Sequence, residues 1–313
     1  MRYRVALRLF IKRLLEGEDD VVRRQGSKLR LAMSTMLPGP EPCTGKYAVE
    51  VLQEKECDGR QPSAAVIVSL FNYAKFVVPC LDSVHAQTLD SIELIVVDDC
   101  STDHSPRVVS NWLADKGNRF CRYRFLRHLF NCGLALTRNT AIYHTRAPLV
   151  FILDADNLIY PPCLERLQTA LENCDASFAY CYAENFGEKQ GLVSNLIPWN
   201  PATFVINNTI DAMVLLRRAV WQQVGGYSTN MPAMGWEDFD MWFKIARLNG
   251  WGVLVPEILT RYRVHGSSML NSITNPKVSI LWSHLRTTYP EFFSLESVAD
   301  DNPFDDHVSK AVA

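Results

Sequence analysis

The sequence predicts an α/β domain built on a mostly parallel sheet, and three observations carry that prediction. From Ala64 onward, strand-like apolar runs alternate with helical runs, an order that implies parallel strands covered by helices on both faces. The runs AAVIVSLFN, SIELIVVDDCSTD and APLVFILDADN are almost continuously apolar before they turn polar. Their polar ends carry Asn72, Asp98, Asp99, Asp154 and Asp156, and ligands of such sheets bind at the carboxyl ends of the strands.

The elements follow in chain order. Residues 1–35 read as helix, with Tyr3, Leu7, Phe10 and Leu14 on one face, Ile11 and Leu15 beside them, and Arg2, Arg4, Arg8, Lys12 and Arg13 on the polar side. This basic amphipathic pattern suits packing on its own domain or on a partner, and it also suits an anionic membrane surface. Pro38, Gly39, Pro40 and Pro42 break the chain, and 37–62 reads as a polar linker. Next comes the strand from Ala64, then the helix FVVPCLDSVHAQT with Val78, Leu81, Val84 and His85 along one side. SIELIVVDDCSTD is a strand, RVVSNWLADKG a helix, CRYRFLRH a strand, GLALTRNTAIYHT a helix and APLVFILDADN a strand. Later, GWEDFD opens a helix whose buried side is Phe239, Trp242, Phe243, Ala246 and Leu248.

Bulk properties exclude several classes. The 313 residues suffice for one large domain or two modest ones. With 48% hydrophobic and 21% charged residues the composition is ordinary for a globular protein. A net charge of -2, without a central Lys/Arg stripe, argues against nucleic-acid binding. The nine cysteines include no CxxC pair, which argues against a zinc ribbon or a thioredoxin-type site; their odd number fits a reducing compartment. No apolar run approaches the roughly 20 residues that span a bilayer, and the N-terminus lacks the apolar core and cleavage site of a signal peptide. The protein therefore reads as cytoplasmic, with the basic helix as a route to peripheral contact at the inner face of a membrane.

FILDADNLIY, 151–160, concentrates the chemistry. On extended backbone Asp154 and Asp156 point the same way, and a divalent cation would offset their repulsion. A turn in which both side chains cap backbone amides is the alternative. A calcium loop fails, because Leu158 and Ile159 stand where a polar ligand and Gly are needed and Pro161–Pro162 disrupts the rest.

Taken together, VIVSLFNYAKFVVPCLDSVHAQT, ELIVVDDCSTD, NCGLALTRNTAI, FILDADN and GWEDFD resemble, in order, the motifs of glycosyltransferase family 2. The resemblance covers residues 64 to 270. It implies a GT-A fold, a Rossmann-like mostly parallel sheet flanked by helices, with helical N- and C-terminal extensions here. The division it implies is 1–62 extension and linker, 63–160 nucleotide-binding half, 161–270 acceptor half, and 271–313 C-terminal tail. It implies donor-base contacts at Ser69, Leu70, Phe71 and Asn72, and a hydrogen bond from uracil N3 to Asp99, which favours a UDP-sugar. Asp98 is expected to order its loop, and Cys100 replaces a frequent Gly. Asn131, Gly133, Arg138 and Asn139 resemble the segment that frames the nucleotide and its diphosphate; a helix-surface ion pair is the other reading of Arg138. Asp154, Ala155 and Asp156 match the family's D-x-D, with Asp156 on the metal and Asp154 facing the ribose or a metal-bound water. Asn157 stands where another acid is frequent.

In the same way Asp238 resembles the general base and Glu237 a residue that positions acceptor or base, while Asp240 is expected to serve the helix. Arg261–His265 is similar to a Y-R-x-H segment, which gives His265 to the metal or the diphosphate. Trp199, Trp236 and Tyr227 offer either sugar-stacking surfaces or core packing. The expected function is inverting transfer of a single sugar from a nucleotide sugar to a hydroxyl on a carbohydrate or lipid-linked acceptor, with Mn2+ or Mg2+, in polysaccharide, glycan or glycolipid synthesis. Processive relatives carry transmembrane helices and Q-x-x-R-W, and neither is found. Two other classes compete. A nucleotidyltransferase would show a Gly-rich basic loop where SLFNYAKF stands, and a catalytically inactive nucleotide-sugar-binding module would have lost Asp154, Asp156 or Asp238.

Overall fold

Alternation within the apolar runs decides the architecture. The computed structural model describes residues 49–57, 59–193, 196–266 and 274–293; the helix expected over 1–35 lies outside them. In β2 (Ala64–Leu70), Ala64, Val66, Val68 and Leu70 enter one apolar layer, and Ala65 and Ile67 enter the other. β3 (Ile92–Asp98) and β5 (Leu149–Asp154) divide the same way, because successive strand side chains point to opposite faces.

A sheet apolar on both faces needs two covers. One is built from α1 (Val77–His85), α2 (Ser105–Lys116) and α4 (Cys163–Glu172). The other is built from α3 (Leu134–His144), α5 (Arg218–Gln223), α6 (Glu237–Arg247) and α7 (Val278–Thr288).

The remaining strands are β1 (Val49–Lys55), β4 (Arg122–His128), β6 (Leu158–Ile159), β7 (Phe178–Gly187), β8 (Gly191–Leu192), β9 (Leu215–Arg217) and β10 (Gly252–Val264). The sheet order is β1-β4-β3-β2-β5-β9-β7-β10-β6, with β8 paired to β7. β4, β3, β2 and β5 are mutually parallel, as are β7 and β10, whereas β1, β9 and β6 join antiparallel. The chain steps from β2 outward to β3 and β4, then returns to β5 on the far side of β2. That reversal opens a crevice at the carboxyl ends. Register sets Ser69 beside Asp154 and Leu70 beside Asp98, so the polar strand ends converge.

Two expectations need correction. The stretch 37–62, read as a linker, contributes β1, which ladders along β4. None of its residues is buried, so this edge strand shows no apolar alternation in the sequence. The helical extension expected at the C-terminus is present as α7 and the short helix α8 (Pro290–Phe293); what needs correction is its reading, over 271–313, as a tail outside the domain. Leu281, Leu285 and Tyr289 are buried, and Tyr289 stacks on Phe243 with ring centroids 4.9 Å apart. The domain therefore runs to at least residue 293. No described helix is long and apolar enough to cross a membrane.

Candidate active site

The loops after β2 and β3 brace one another. Asn72, in the left-handed region at φ 56°, accepts at Oδ1 from the Thr102 and Asp103 amides, 2.8 and 3.3 Å away. The Ser101 hydroxyl accepts from the Asn72 amide at 2.9 Å. Asn72 thus shapes the loop. Leu70 lies in the core, which leaves its backbone, whose carbonyl accepts from Asp99 N–H at 2.8 Å. Phe71 is 44% exposed beside this loop. Asp98 behaves as expected of a loop-ordering residue: its Oδ2 accepts from Ser101 N–H at 3.1 Å, and burial pushes its carboxyl up.

Asp99 is held in a pocket of protein donors. His128 Nδ1 lies 2.7 Å from Oδ1, and the Cys132 and Gly133 amides donate to Oδ1 and Oδ2 at 2.8 Å each. Fully buried His128 reaches Thr140 through its other nitrogen at 3.0 Å. Nothing in the sequence marks His128 beyond its place at the end of β4. Asn131 closes the loop by donating to the Asp99 carbonyl at 3.1 Å, and Phe130 beside it is 75% exposed. Asp99, His128 and Cys132 are the trio of potential metal ligands whose ligand atoms lie within 4.8 Å of one another among the described residues. The hydrogen bonds to Asp99 account for that closeness; Asp154, Asp156 and His265 do not form such a trio.

On α3, Arg138 is 2% exposed and donates from Nη2 to both oxygens of Asp154, at 2.9 and 3.2 Å. The helix-surface reading of Arg138 is thereby corrected: the helix turns it into the sheet's end. Asn139 faces the interior instead of the crevice. Its Oδ1 accepts from Trp221 Nε1 at 3.0 Å and Tyr227 N–H at 2.8 Å, and its Nδ2 donates to the Tyr227 carbonyl at 2.8 Å.

The D-x-D of FILDADN straddles the strand end. Ala155 is fully buried between the two acids. Asp156 Oδ2 lies 3.0 Å from His265 Nε2, and both residues are buried. Burial, then the charge of Asp154, pushes the Asp156 carboxyl up, while His265 pulls it back. His265 is flanked by Phe76 and Tyr73, at ring distances of 5.0 and 6.0 Å. Arg263 donates through Nε to the Asp156 carbonyl at 2.8 Å. Asn157 has a backbone role: its Oδ1 accepts from Arg263 N–H at 2.9 Å, tying the D-x-D turn to β10. A carboxylate oxygen and an imidazole nitrogen at one point, with a second acid close by, form a donor set that suits Mn2+ or Mg2+.

Across the crevice, α6 starts at Glu237 after two residues of positive φ, Gly235 and Trp236. Gly235 has φ 103°, and a Cβ there would run into Thr274, so glycine is required. Both Glu237 oxygens accept from Gly235 N–H at 3.0 Å, and the buried carboxylate shapes this turn. Asp238 accepts from Asn208 Nδ2 at 3.0 Å. Burial raises its pKa against the pull of Arg138, and Asp154 adds to the rise. Asp240 does more than serve its helix. Its oxygens take the Tyr289 hydroxyl at 2.6 Å and the Ser228 hydroxyl at 2.7 Å. Tyr227 is buried, and Trp199 meets Phe178 and Phe204 edge to face, as Trp236 meets Phe239 and Trp282. All three rings take part in packing, with Trp199 and Trp236 half-buried.

One acid near the site has no motif to announce it. Asp211 lies in the segment leading to β9 and feels the charges of Asp238, Asp154 and Arg138.

Comparison with known proteins fits this arrangement. The chain is 34% identical to EpsH of Bacillus subtilis (strain 168) over 115 residues, 36% of this chain and 32% of EpsH, so it spans about a third of that relative. It is 25% identical to the glycosyltransferase RT0329 of Rickettsia typhi over 237 residues, 71% of each. Among solved structures, residues 1–349 of S. aureus TarS in complex with UDP-GlcNAc share the fold at a TM-score of 0.57 and 16% identity, covering 67% of this chain and 61% of that one. The sequence model of glycosyl transferase family 2 matches residues 65–225, half of the chain, and the chain belongs to that family.

Proposed function

We propose that the protein transfers one sugar from a UDP-sugar to a hydroxyl acceptor, with inversion at the anomeric carbon, in polysaccharide, glycan or glycolipid synthesis. The observation that carries this reading is that the segment before β9 runs along the D-x-D end of β5 and bonds Asp238 at the start of α6 through Asn208, while the buried Arg138 bonds Asp154 on the same side. Inversion needs a base on the face opposite the leaving group, and Asp238 is the candidate. Burial raises its pKa, which makes the carboxylate a stronger base for a hydroxyl proton. Asn208 orients the carboxylate.

Asp99, Phe71 and the loop 129–133 are assigned to the uracil, with one lone pair of Asp99 Oδ2 left for N3–H. The solved complexes of TarS with UDP-GlcNAc and with UDP support a uridine donor. Asp156 and His265 would hold Mn2+ or Mg2+, which supplies Lewis-acid neutralisation of the departing diphosphate when bound. Arg138 holds the Asp154 carboxylate in place.

The test is a thermal-shift and hydrolysis screen of UDP-sugars with and without Mn2+ or Mg2+. Metal-dependent stabilisation by a UDP-sugar is expected. A response confined to another nucleotide sugar would overturn the assignment of Asp99 to uracil.

A further inference from the structure

We propose that Asp211 binds a hydroxyl of the transferred sugar and so selects the donor. The inference rests on the function proposed above. The backbone carries the placement. Val214 O accepts from Ile152 N–H at 3.2 Å, and Leu215 pairs with Phe151. The segment before β9 therefore runs antiparallel along the end of β5, which brings Asp211 past the strand end at Asp154. From the other side, Asn208, three residues earlier, bonds Asp238 at 3.0 Å. Trp242 Nε1 donates to the Ile210 carbonyl at 3.2 Å and fixes the segment on α6. Asp211 thus stands between the acid on the diphosphate side and the candidate base. The sugar ring must occupy that interval if Asp238 is to activate a nucleophile in line with the departing diphosphate.

The carboxylate is prepared for a polar ligand. Met213 N–H donates to Oδ1 at 2.9 Å, an Asx turn that sets the side-chain angle. Among the described residues that is the one protein hydrogen bond to the carboxylate, and the residue is half-buried, which leaves Oδ2 open to a ligand. Among the described residues no cation forms an ion pair with Asp211, and its charged surroundings include two further acids. A sugar hydroxyl donating to Oδ2 adds no charge to a crowded acidic site.

The test compares the whole protein with Asp211→Asn, which keeps the Oδ1 acceptor for Met213. Calorimetry measures UDP, UDP-glucose, UDP-galactose, UDP-GlcNAc and UDP-GalNAc, and thermal unfolding is followed in parallel. In the parent, one of the sugars should add affinity over UDP. In Asp211→Asn, affinity for UDP should stay within about twofold, while the increment from the sugar falls by about fivefold or more, the size of a lost side-chain hydrogen bond. The ratio between C4 epimers should also change. An unchanged increment overturns the proposal, as does a parent that gains nothing from any sugar. Equal losses for UDP and UDP-sugar, with a lowered melting temperature, would make Asp211 structural and overturn it too. A parent that binds neither UDP nor any UDP-sugar instead sinks the proposed function, and this inference with it.

Discussion

Arg138 Nη2 donates to both carboxylate oxygens of Asp154, at 2.9 and 3.2 Å, across the end of the sheet. The relationship joins α3 to β5 and puts a buried positive charge among Asp154, Glu237 and Asp238. Arg138 is buried while Asp154 keeps 29% of its side chain exposed, so the cost of removing the arginine falls below the roughly 3–5 kcal/mol of breaking a fully buried pair. Arg138→Met should lower unfolding stability by about 1–3 kcal/mol in urea titrations. A loss below about 0.5 kcal/mol would show that water already screens the pair.

Asp238→Asn removes the proposed base and keeps the shape of the side chain. Transfer should fall by about a hundredfold to ten-thousandfold. Donor affinity, measured by calorimetry, should remain within about twofold, because the proposed donor contacts lie elsewhere. Transfer at the parent rate would remove Asp238 from that role.

Asp156→Ala should abolish the metal-dependent part of UDP binding and leave a weak metal-independent part. His265→Ala should weaken the metal requirement in the same direction. Titration of Mn2+ with UDP present separates the two. If Asp156→Ala binds UDP with an unchanged Mn2+ dependence, the metal lies elsewhere, and the trio Asp99, His128 and Cys132 is the place to look.

Asp211 makes stability depend on pH. Burial, foremost, pushes its carboxyl from the ordinary 3.8 up to about 7. The folded state holds this proton more tightly than the unfolded state, so the group favours folding at low pH. That contribution is complete below the unfolded value and is lost as pH rises from 3.8 to about 7. Urea unfolding of Asp211→Asn should show a flatter loss of stability across this window than the parent. Parallel curves would mean that Asp211 is ionised throughout.

Tyr289→Phe should cost about 1–3 kcal/mol, because the buried Asp240 loses a hydroxyl donor at 2.6 Å. Ser228 and Lys244 still reach Asp240, so the fold should survive. A change below about 0.5 kcal/mol would mean these two suffice.

Much of this was present in the sequence alone. Residues 64–154 announce alternating strands and helices, because a strand buried on both faces must be apolar throughout and its ligand end must be polar. The ordered motifs around Asp99, Asp154, Asp156 and Asp238 identify the family, since each carries its chemistry in a few adjacent residues. What tertiary structure decided is everything that depends on separation along the chain. β1 is an edge strand held by backbone bonds, and α7 buries only two leucines, so neither has a strong local pattern. Asn157 serves Arg263, 106 residues away, and Asn139 serves Tyr227, 88 residues away; a single amide gives no hint of a partner so distant. The sequence leaves Arg138 between the nucleotide-framing segment and a helix-surface ion pair, and the packing of α3 aims it at Asp154. His128 and Asp211 acquire meaning only from the charges folded around them, because burial and neighbouring carboxylates are properties of three-dimensional position.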